Sequence, residues 1–287
     1  MTVIGKLRSL TLFETLLLIV LIAVAAFLSL PIVFILNHAF KPFHELFLFP
    51  PTFLVRQPTL SNLYDLFMRT SDTIVPFSRY LFNSVLVAGF TLTAVILSSS
   101  LAAYVLSKLS FGPKKLVMGT IMLALMFAPE TVSIPRYLII SWFHINNTYF
   151  GHILPFVASP VAVFLIKQFI DQIPRDLLES GKIDGASEHQ VFLRIVMPLT
   201  MPAIATVAII TFQGVWGDTQ ASTLFMQDET MKTLPYFILS LTSGMANSVA
   251  GQGMAAAAGL LMFLPNLVLF LFAQKRIMET MMHSGVK

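Results

Sequence analysis

The sequence contains no cysteine and few charged residues. None of its 287 residues is Cys, and 11% are Asp, Glu, Lys or Arg, against roughly a quarter in an average soluble domain. A disulfide framework, a cysteine-based zinc site and a thiol nucleophile are therefore excluded. With 56% hydrophobic residues and a mean hydropathy of +0.81, the chain is too apolar for a soluble monomer or a disordered protein.

Motifs for catalysis and cofactor binding are missing as well. No Gly-x-x-x-x-Gly-Lys-Ser/Thr phosphate loop occurs, because Gly5-Lys6 and Gly181-Lys182 lack both the preceding glycine and the following hydroxyl. The six histidines form no metal-binding pattern. Basic residues are not interleaved with aromatics as in RNA-binding proteins. We therefore assign no catalytic residue, metal or cofactor, and expect no nucleic-acid partner.

Six apolar runs predict six transmembrane helices, since a span needs about 20 apolar residues. The sequence therefore predicts one all-α membrane domain over residues 1–287, with a first transmembrane helix over 13–36 and a core region over 79–275. The third and fourth runs are the shortest. In chain order the runs are Thr15–Leu36, Leu81–Leu106, Leu116–Pro129, Ile153–Ile166, Leu199–Val215 and Ala255–Ala273.

The distribution of Lys and Arg predicts the orientation of these spans. Twelve of the eighteen basic residues lie next to the spans on one side of the membrane. The other six are spread over the longer loops on the opposite side. The six are Lys41, Arg56, Arg69, Arg79, Arg136 and Lys232. The positive-inside rule then places both termini and the link 171–198 in the cytoplasm. The first outer loop, 37–79, is rich in Pro, Phe and Leu, and we expect it to pack on the membrane surface or on a partner.

The link between the fourth and fifth spans, residues 171–198, is the most unusual segment, and we call it the hinged link. Pro174 suits a helix start, Asp184-Gly185 predicts a break, and Ser187 with Gln190 predicts a capping box that starts a second helix. A plain connection between two spans needs far fewer residues. We therefore favour an element that docks into a groove of a partner over an uncommitted loop.

The hinged link resembles the EAA loop in permease subunits of bacterial ABC importers. Ile183-Asp184-Gly185-Ala186-Ser187 and the stretch from Arg194 to Leu199 resemble the version in carbohydrate-uptake permeases. Asn83-Ser84, Ala158-Ser159-Pro160 and Thr233-Leu234-Pro235 extend the likeness over about residues 79–287. The class it resembles is typified by the smaller permease subunit of the maltose importer, which implies the type I importer permease fold.

The resemblance implies a function and a set of partners. It implies a permease in a bacterial cell (inner) membrane that forms, with a second permease, the pathway for a sugar or oligosaccharide. Cytoplasmic ATP-binding subunits would supply the energy, and an extracellular or periplasmic solute-binding protein would deliver the solute. Another polar solute stays an alternative.

Two other classes of function stay open on the residues alone. A membrane-embedded enzyme would need paired acids, and the one acid cluster suits a docking helix at least as well. The cluster consists of Asp171, Asp176, Glu179 and Asp184. A passive channel or an assembly scaffold would not need a hinged link of this size.

In the family this loop is the coupling helix that the ATPase subunit grips. Carried over, the docking element is Glu179, Gly181, Asp184, Gly185 and Ala186, with Leu177, Ile183 and Phe192 as apolar anchors. Glu179 or Asp184 would meet basic or backbone donors, although Asp184 could equally serve only to cap and turn the chain. Two departures from the family pattern are Ser180-Gly181 in place of Ala-Ala and Trp216-Gly217-Asp218 in place of Trp-Asn-Asp.

Candidates for a substrate path are the amide, hydroxyl and aromatic side chains that a sugar requires. These are Asn83, Ser84, Gln213, Trp216 and Asp218. Asn83 and Ser84 could equally hydrogen-bond across helices, and Trp216 could be an interfacial anchor. The near-absence of charges inside the spans argues against ion-coupled transport.

Overall fold

The structure, a computed structural model, describes residues 11–50, 52–68, 75–128, 130–245 and 251–284, and within these ranges every regular element is helical. A π-helical turn, Phe192–Val196, and a 3-10 turn, Glu229–Met231, interrupt the α-helices. The α-helices are α1 (Leu12–Ala39), α2 (Phe43–Leu46), α3 (Ser61–Met68), α4 (Phe77–Lys108), α5 (Lys114–Ala124), α6 (Ser133–Trp142), α7 (Tyr149–Val157), α8 (Pro160–Asp171), α9 (Arg175–Ile183), α10 (Glu188–Val191), α11 (Met197–Leu199), α12 (Met201–Trp216), α13 (Gln220–Phe225), α14 (Leu234–Met245) and α15 (Gln252–Ser284).

Three described helices are long and apolar enough to cross a membrane: α1, α4 and the Gln252–Gln274 part of α15. Two bent pairs raise the number to as many as five by length and composition. The α7–α8 pair bends by 44°, and the pair formed by Glu188–Leu199 and α12 bends by 75°. The predicted runs one, two, five and six therefore coincide with long or bent apolar helices, and the fourth run, Ile153–Ile166, is split at Ser159.

The third predicted run, Leu116–Pro129, is not one continuous helix. The helix α5 has 11 residues and ends at Ala124, and turns then lead to the 10-residue α6. At 1.5 Å per residue each is about 16 Å long, half of the hydrocarbon core. Pro129 itself lies outside the described residues.

The chain divides into two compact units, one within residues 1–69 and 242–261 and one within 70–241 and 262–287. In the first unit, Thr11 and Glu14 form a capping box that starts α1. Near the end of that helix the Asn62 amide donates to the carbonyls of His38, Ala39 and Lys41. These bonds fix α3 against the last turn of α1.

In the second unit a hydrophobic core joins α4, α8 and α12 to the hinged link. Ile166 and Ile170 of α8, Val95 of α4 and Val196 of the link are fully buried in it. Small residues on α4 (Ser99, Ser100 and Ala103) are at most 1% exposed. Small side chains let membrane helices approach closely, so these residues serve helix packing.

Candidate functional site

The first helix of the hinged link ends in a glycine-dependent turn. The Gly185 N–H donates to the Lys182 carbonyl and the Ala186 N–H to the Gly181 carbonyl, both at 3.0 Å. Gly185 has φ of +86°, in the left-handed region that glycine adopts without steric cost. This pattern of bonds is a Schellman motif. The predicted break at Asp184-Gly185 is confirmed, and backbone groups rather than the Asp184 side chain make the turn.

The second helix of the link begins where the capping box predicts. The Gln190 N–H donates to Ser187 Oγ at 3.3 Å, and the Ser187 N–H donates to Gln190 Oε1 at 2.8 Å. The helix continues through the π-helical turn to Leu199. There the Thr200 hydroxyl donates to the Val196 carbonyl at 2.9 Å, and the chain bends by 75° into α12. The link is therefore continuous with the fifth span.

The inner face of the link is part of the hydrophobic core. Leu178, Val191 and Phe192 are buried there, and the Phe192 ring lies 5.3 Å from the ring of Tyr104 on α4. Phe192 is only 5% exposed. The structure thus corrects its place in the predicted docking element, because a side chain packed between the link and α4 is not presented to a partner.

Gly181, which stands where the family pattern has alanine, lies in a crowded position. A Cβ added at Gly181 would lie 2.8 Å from Cδ1 of Ile195 and 3.8 Å from Cγ2 of Val191. The two helices of the link therefore approach each other at this glycine. An alanine here would push the Ile195 side chain aside, which a flexible side-chain end can allow.

Polar contacts fix the link to the end of α4. Glu188 accepts a hydrogen bond from the Tyr104 hydroxyl and pairs with Lys182 of α9 at 2.6 Å. Near the start of the link, Lys108 Nζ donates to the Ile173 carbonyl at 2.6 Å. Together with the buried face, these contacts attach the hinged link rigidly to the spans.

The opposite face of the link is exposed and carries most of the predicted docking residues. Ile183 is 85% exposed and Leu177 is 42% exposed. The side chains of Glu179 and Asp184 are exposed beside them, whereas Gly181 and Ala186 are half-buried. No hydrogen bond of the Asp184 carboxylate occurs among the described residues, so this side chain remains available to a partner. The face combines an apolar centre with two carboxylates.

Two predicted substrate-path residues instead hold a distant segment, and we call this arrangement the clasp (Asn83, Ser84, Tyr149, His152 and residues 230–234). Asn83 Nδ2 donates to the carbonyls of Thr230 and Lys232, and its Oδ1 accepts from the Tyr149 hydroxyl, each at 2.8 Å. Ser84 Oγ accepts from the Leu234 N–H at 2.8 Å. Asn83 is fully buried, which favours the alternative that it bonds across elements.

Two more sets of contacts, made by His152 and Lys232, stabilise the clasp. His152 Nε2 lies 3.0 Å from the Met231 carbonyl. Lys232 Nζ bonds to Glu229 Oε1 at 2.6 Å and to the Tyr236 hydroxyl at 3.1 Å. Burial acts to lower the pKa of Lys232, but these hydrogen bonds outweigh burial and raise the pKa. Lys232 is therefore charged at any physiological pH.

The other three predicted path residues are not joined to the clasp by their described hydrogen bonds. Gln213 is exposed, and Trp216 stacks on Phe212 with ring centroids 5.4 Å apart. Trp216 lines an apolar groove of about 460 Å³. Asp218 accepts from the N–H groups of Gln220 and Ala221, both at 3.1 Å, and so caps α13. Burial raises the pKa of Asp218, and the two N–H groups oppose that rise.

Some residues that position these sites were not predicted from the sequence. Tyr149 and His152 make hydrogen bonds within the clasp, and Tyr104 makes one to the hinged link. None of the three lies in a sequence motif from which a role could be predicted. Their partners lie 66 to 84 residues away in the chain, and no local spacing signals such pairs. Among the described residues no group of three or more His, Asp or Glu side chains could hold a metal ion.

We expect Asn83→Leu to destabilise the protein strongly. The change removes three hydrogen bonds and leaves the Lys232 carbonyl and the Tyr149 hydroxyl without these partners, and each such group costs about 1–3 kcal/mol when it is buried. The Thr230 carbonyl keeps its bond from Arg79 Nε at 3.0 Å. Thermal unfolding of the purified protein should shift down by roughly 5–10 °C. Ser84→Ala, which removes one bond, is the matched control and should shift less. Equal melting temperatures for N83L and the parent protein would show that the clasp contributes no stability.

Comparisons with known proteins identify the family to which this chain is similar. The family model described as "Binding-protein-dependent transport system inner membrane component" matches residues 10–275. The arabinooligosaccharides transport system permease protein AraQ of Bacillus subtilis is 31% identical over 209 residues, 73% of each chain. The melibiose/raffinose/stachyose import permease protein MelC of Bacillus subtilis is 33% identical over 208 residues, 71% of this chain and 74% of the relative.

A solved structure shares the fold. It is a bacterial ABC transporter involved in the import of the acidic polysaccharide alginate, with a TM-score of 0.78 and 18% identity over 94% of this chain and 98% of that one. The all-helical importer permease fold is thereby confirmed. The extent of the family match, together with the two permeases of Bacillus subtilis, shows that this chain belongs to the family of binding-protein-dependent transport system inner membrane components.

Proposed function

We propose that the chain is one permease subunit of an ABC importer that takes up a sugar or oligosaccharide, with the hinged link as its coupling helix. The observation that carries the proposal is the two-sided construction of the link. One face is buried against α4, α8 and α12, and the other exposes Leu177, Ile183 and two carboxylates. An ATPase subunit that grips the exposed face would move the spans with it.

The family excludes two of the three classes left open by the sequence. It consists of transporter permease subunits, so the chain is not an enzyme. Transport in this family depends on a binding protein, which a passive channel or a scaffold would not need. The match from residue 10 to 275 also supports one permease domain over the whole chain.

The mechanism that follows is a shift between two states driven from outside the chain. Importer permeases pair with a second permease, with ATPase subunits and with a solute-binding protein. ATP binding would close the ATPase subunits, and the link would pass that movement to the spans as a rigid lever. Leu177 and Ile183 would supply apolar contact, and Glu179 and Asp184 would meet basic or backbone donors. Gly185 would set the turn.

We assign the link and both termini to the cytoplasm. The twelve basic residues on that face and the positive-inside rule support this orientation. The clasp and the first loop then lie on the outer side, where a solute-binding protein would dock. The membrane would be the bacterial cell (inner) membrane, as the family description indicates.

The relatives indicate the substrate class. Their names specify arabinooligosaccharides, melibiose with raffinose and stachyose, and trehalose for a Mycobacterium tuberculosis permease that is 30% identical over 74% of this chain. We therefore favour a sugar or oligosaccharide over another polar solute. Asn83 and Ser84 are engaged in the clasp, and the Asp218 carboxylate caps α13. Gln213 and Trp216 are therefore the remaining candidates on this chain for a contact with substrate.

Reconstitution of the full importer tests the proposal. The chain is co-expressed with its second permease and ATPase subunits, inserted into proteoliposomes, and supplied with the binding protein loaded with each sugar of a screened panel. ATP-dependent uptake of one labelled sugar is expected, with none when ATP or the binding protein is omitted. Uptake without ATP, or failure of any ATPase subunit to co-purify, would contradict the proposal.

A further inference from the structure

The loop between α1 and α3 presents an apolar surface that the transport mechanism does not use. Six large apolar side chains of this loop are 42–95% exposed, and Phe49 is the most exposed of them. No charged residue occurs from 46 to 55. We call this surface the aromatic tip, and it consists of Phe43, Phe47, Leu48, Phe49, Phe53 and Leu54.

A polar framework holds the loop in a defined shape. The Glu45 carboxylate, on a residue only 3% exposed, accepts from the N–H groups of Arg56 at 3.1 Å and Gln57 at 2.8 Å. Lys41 Nζ donates to the Thr52 carbonyl at 2.6 Å. The Arg56 N–H, aided by that of Gln57, keeps the pKa of Glu45 below its usual value, so its charge is retained at neutral pH. The exposed rings are therefore displayed by a folded loop.

The same framework ties the loop to the end of a membrane span. The Val55 N–H donates to Asn37 Oδ1 at 3.0 Å, and the Thr59 N–H donates to the Phe40 carbonyl at 2.8 Å. The uncharged run Thr15–Leu36 is about 33 Å long as a helix, which matches the hydrocarbon core of about 30 Å. Asn37 then lies in the interfacial layer. Phe49 is six residues from Val55 and so remains within about 20 Å of that level.

The chemistry of the aromatic tip fits lipid better than protein. A protein interface carries about one hydrogen bond per 100–200 Å², but the six side chains of the tip offer no donor or acceptor. The apolar surface of α1, none of which is buried within its most hydrophobic stretch, leads directly into this loop. We propose that the aromatic tip inserts into the membrane interface at the C-terminal end of α1 and anchors that end of the helix.

Depth measurement by spin labelling tests this insertion directly. The chain has no cysteine, so Phe49→Cys gives one nitroxide site on this subunit. Gln57→Cys is the matched control, because Gln57 is an exposed polar residue of the same loop. The complete importer is placed in nanodiscs, with the labelled parent complex as background. Collision rates with oxygen, which partitions into lipid, and with the water-soluble chelate NiEDDA are then compared.

The label at position 49 is expected to collide at least three-fold less with NiEDDA and at least three-fold more with oxygen than the label at position 57. Free access of NiEDDA at position 49 would overturn the proposal. Protection from both reagents would also overturn it, because a protein partner would then cover the tip. Phe47→Cys, at a side chain that is 56% exposed, provides an independent site if the first variant does not assemble.

Discussion

Gly185→Val is expected to reduce ATP-driven uptake to below one tenth while the protein still reaches the membrane. Gly185 has φ of +86°, a conformation that costs an ordinary L-residue about 1–2 kcal/mol and a β-branched residue more. A Cβ at this position would meet no atom within 4 Å. The penalty is therefore confined to the backbone and falls on the turn that carries Ile183 and Asp184.

Gly185→Asn is the matched control, because asparagine tolerates the left-handed conformation far better than valine. It should retain more than half of the uptake measured in the same proteoliposomes. Membrane content, assayed by quantitative blotting, should be equal for both variants. Normal uptake by G185V would show that the geometry of this turn is not needed for coupling.

Leu177→Ser combined with Ile183→Ser is expected to weaken the association of the ATPase subunit by at least ten-fold. Burying a large aliphatic side chain contributes about 1.5–3 kcal/mol, and each 1.4 kcal/mol corresponds to about a factor of ten in affinity. Both residues are exposed on the free chain, Ile183 at 85%, so the double variant should fold normally. The affinity is measured by titrating ATPase subunits onto permeases held in nanodiscs.

Leu193→Ser serves as the control for this pair. Leu193 is 46% exposed on the second helix of the hinged link and is outside the proposed docking face. Its replacement should leave the affinity within two-fold of the parent value. An unchanged affinity in the double variant, or an equal loss with L193S, would reject Leu177 and Ile183 as the apolar contact.

Local signals account for what the sequence predicted well. Pro174, Gly185 and the Ser187–Gln190 pair act within a few residues of themselves, so the two helices of the hinged link and the break between them could be located. The first span was equally clear, because its apolar run is long and uncharged. Features that depend on neighbours within one helical turn are predictable from sequence.

Features that depend on distant neighbours were not predictable. Leu177 and Leu178 are adjacent and chemically identical, yet Leu178 is buried and Leu177 is not. Phe192 is a large apolar residue, as expected of an anchor for the ATPase subunit, but its ring packs against Tyr104 of α4. Asn83 bonds to carbonyls 147 and 149 residues away. Tertiary packing determines which apolar or amide side chains contact such distant residues. The spacing of residues in the sequence does not indicate these contacts.

A single uninterrupted rod carries both polar assemblies of the second unit. The helix α4 runs from Phe77 to Lys108, with Asn83 near one end and Tyr104, which holds Glu188, near the other. These two side chains are separated by about 30 Å along the helix axis. A tilt imposed at the Tyr104 end would therefore displace the Asn83 end in the opposite direction. Under the proposed coupling, a movement of the ATPase subunit on one side of the bilayer would in this way reach the clasp on the other side.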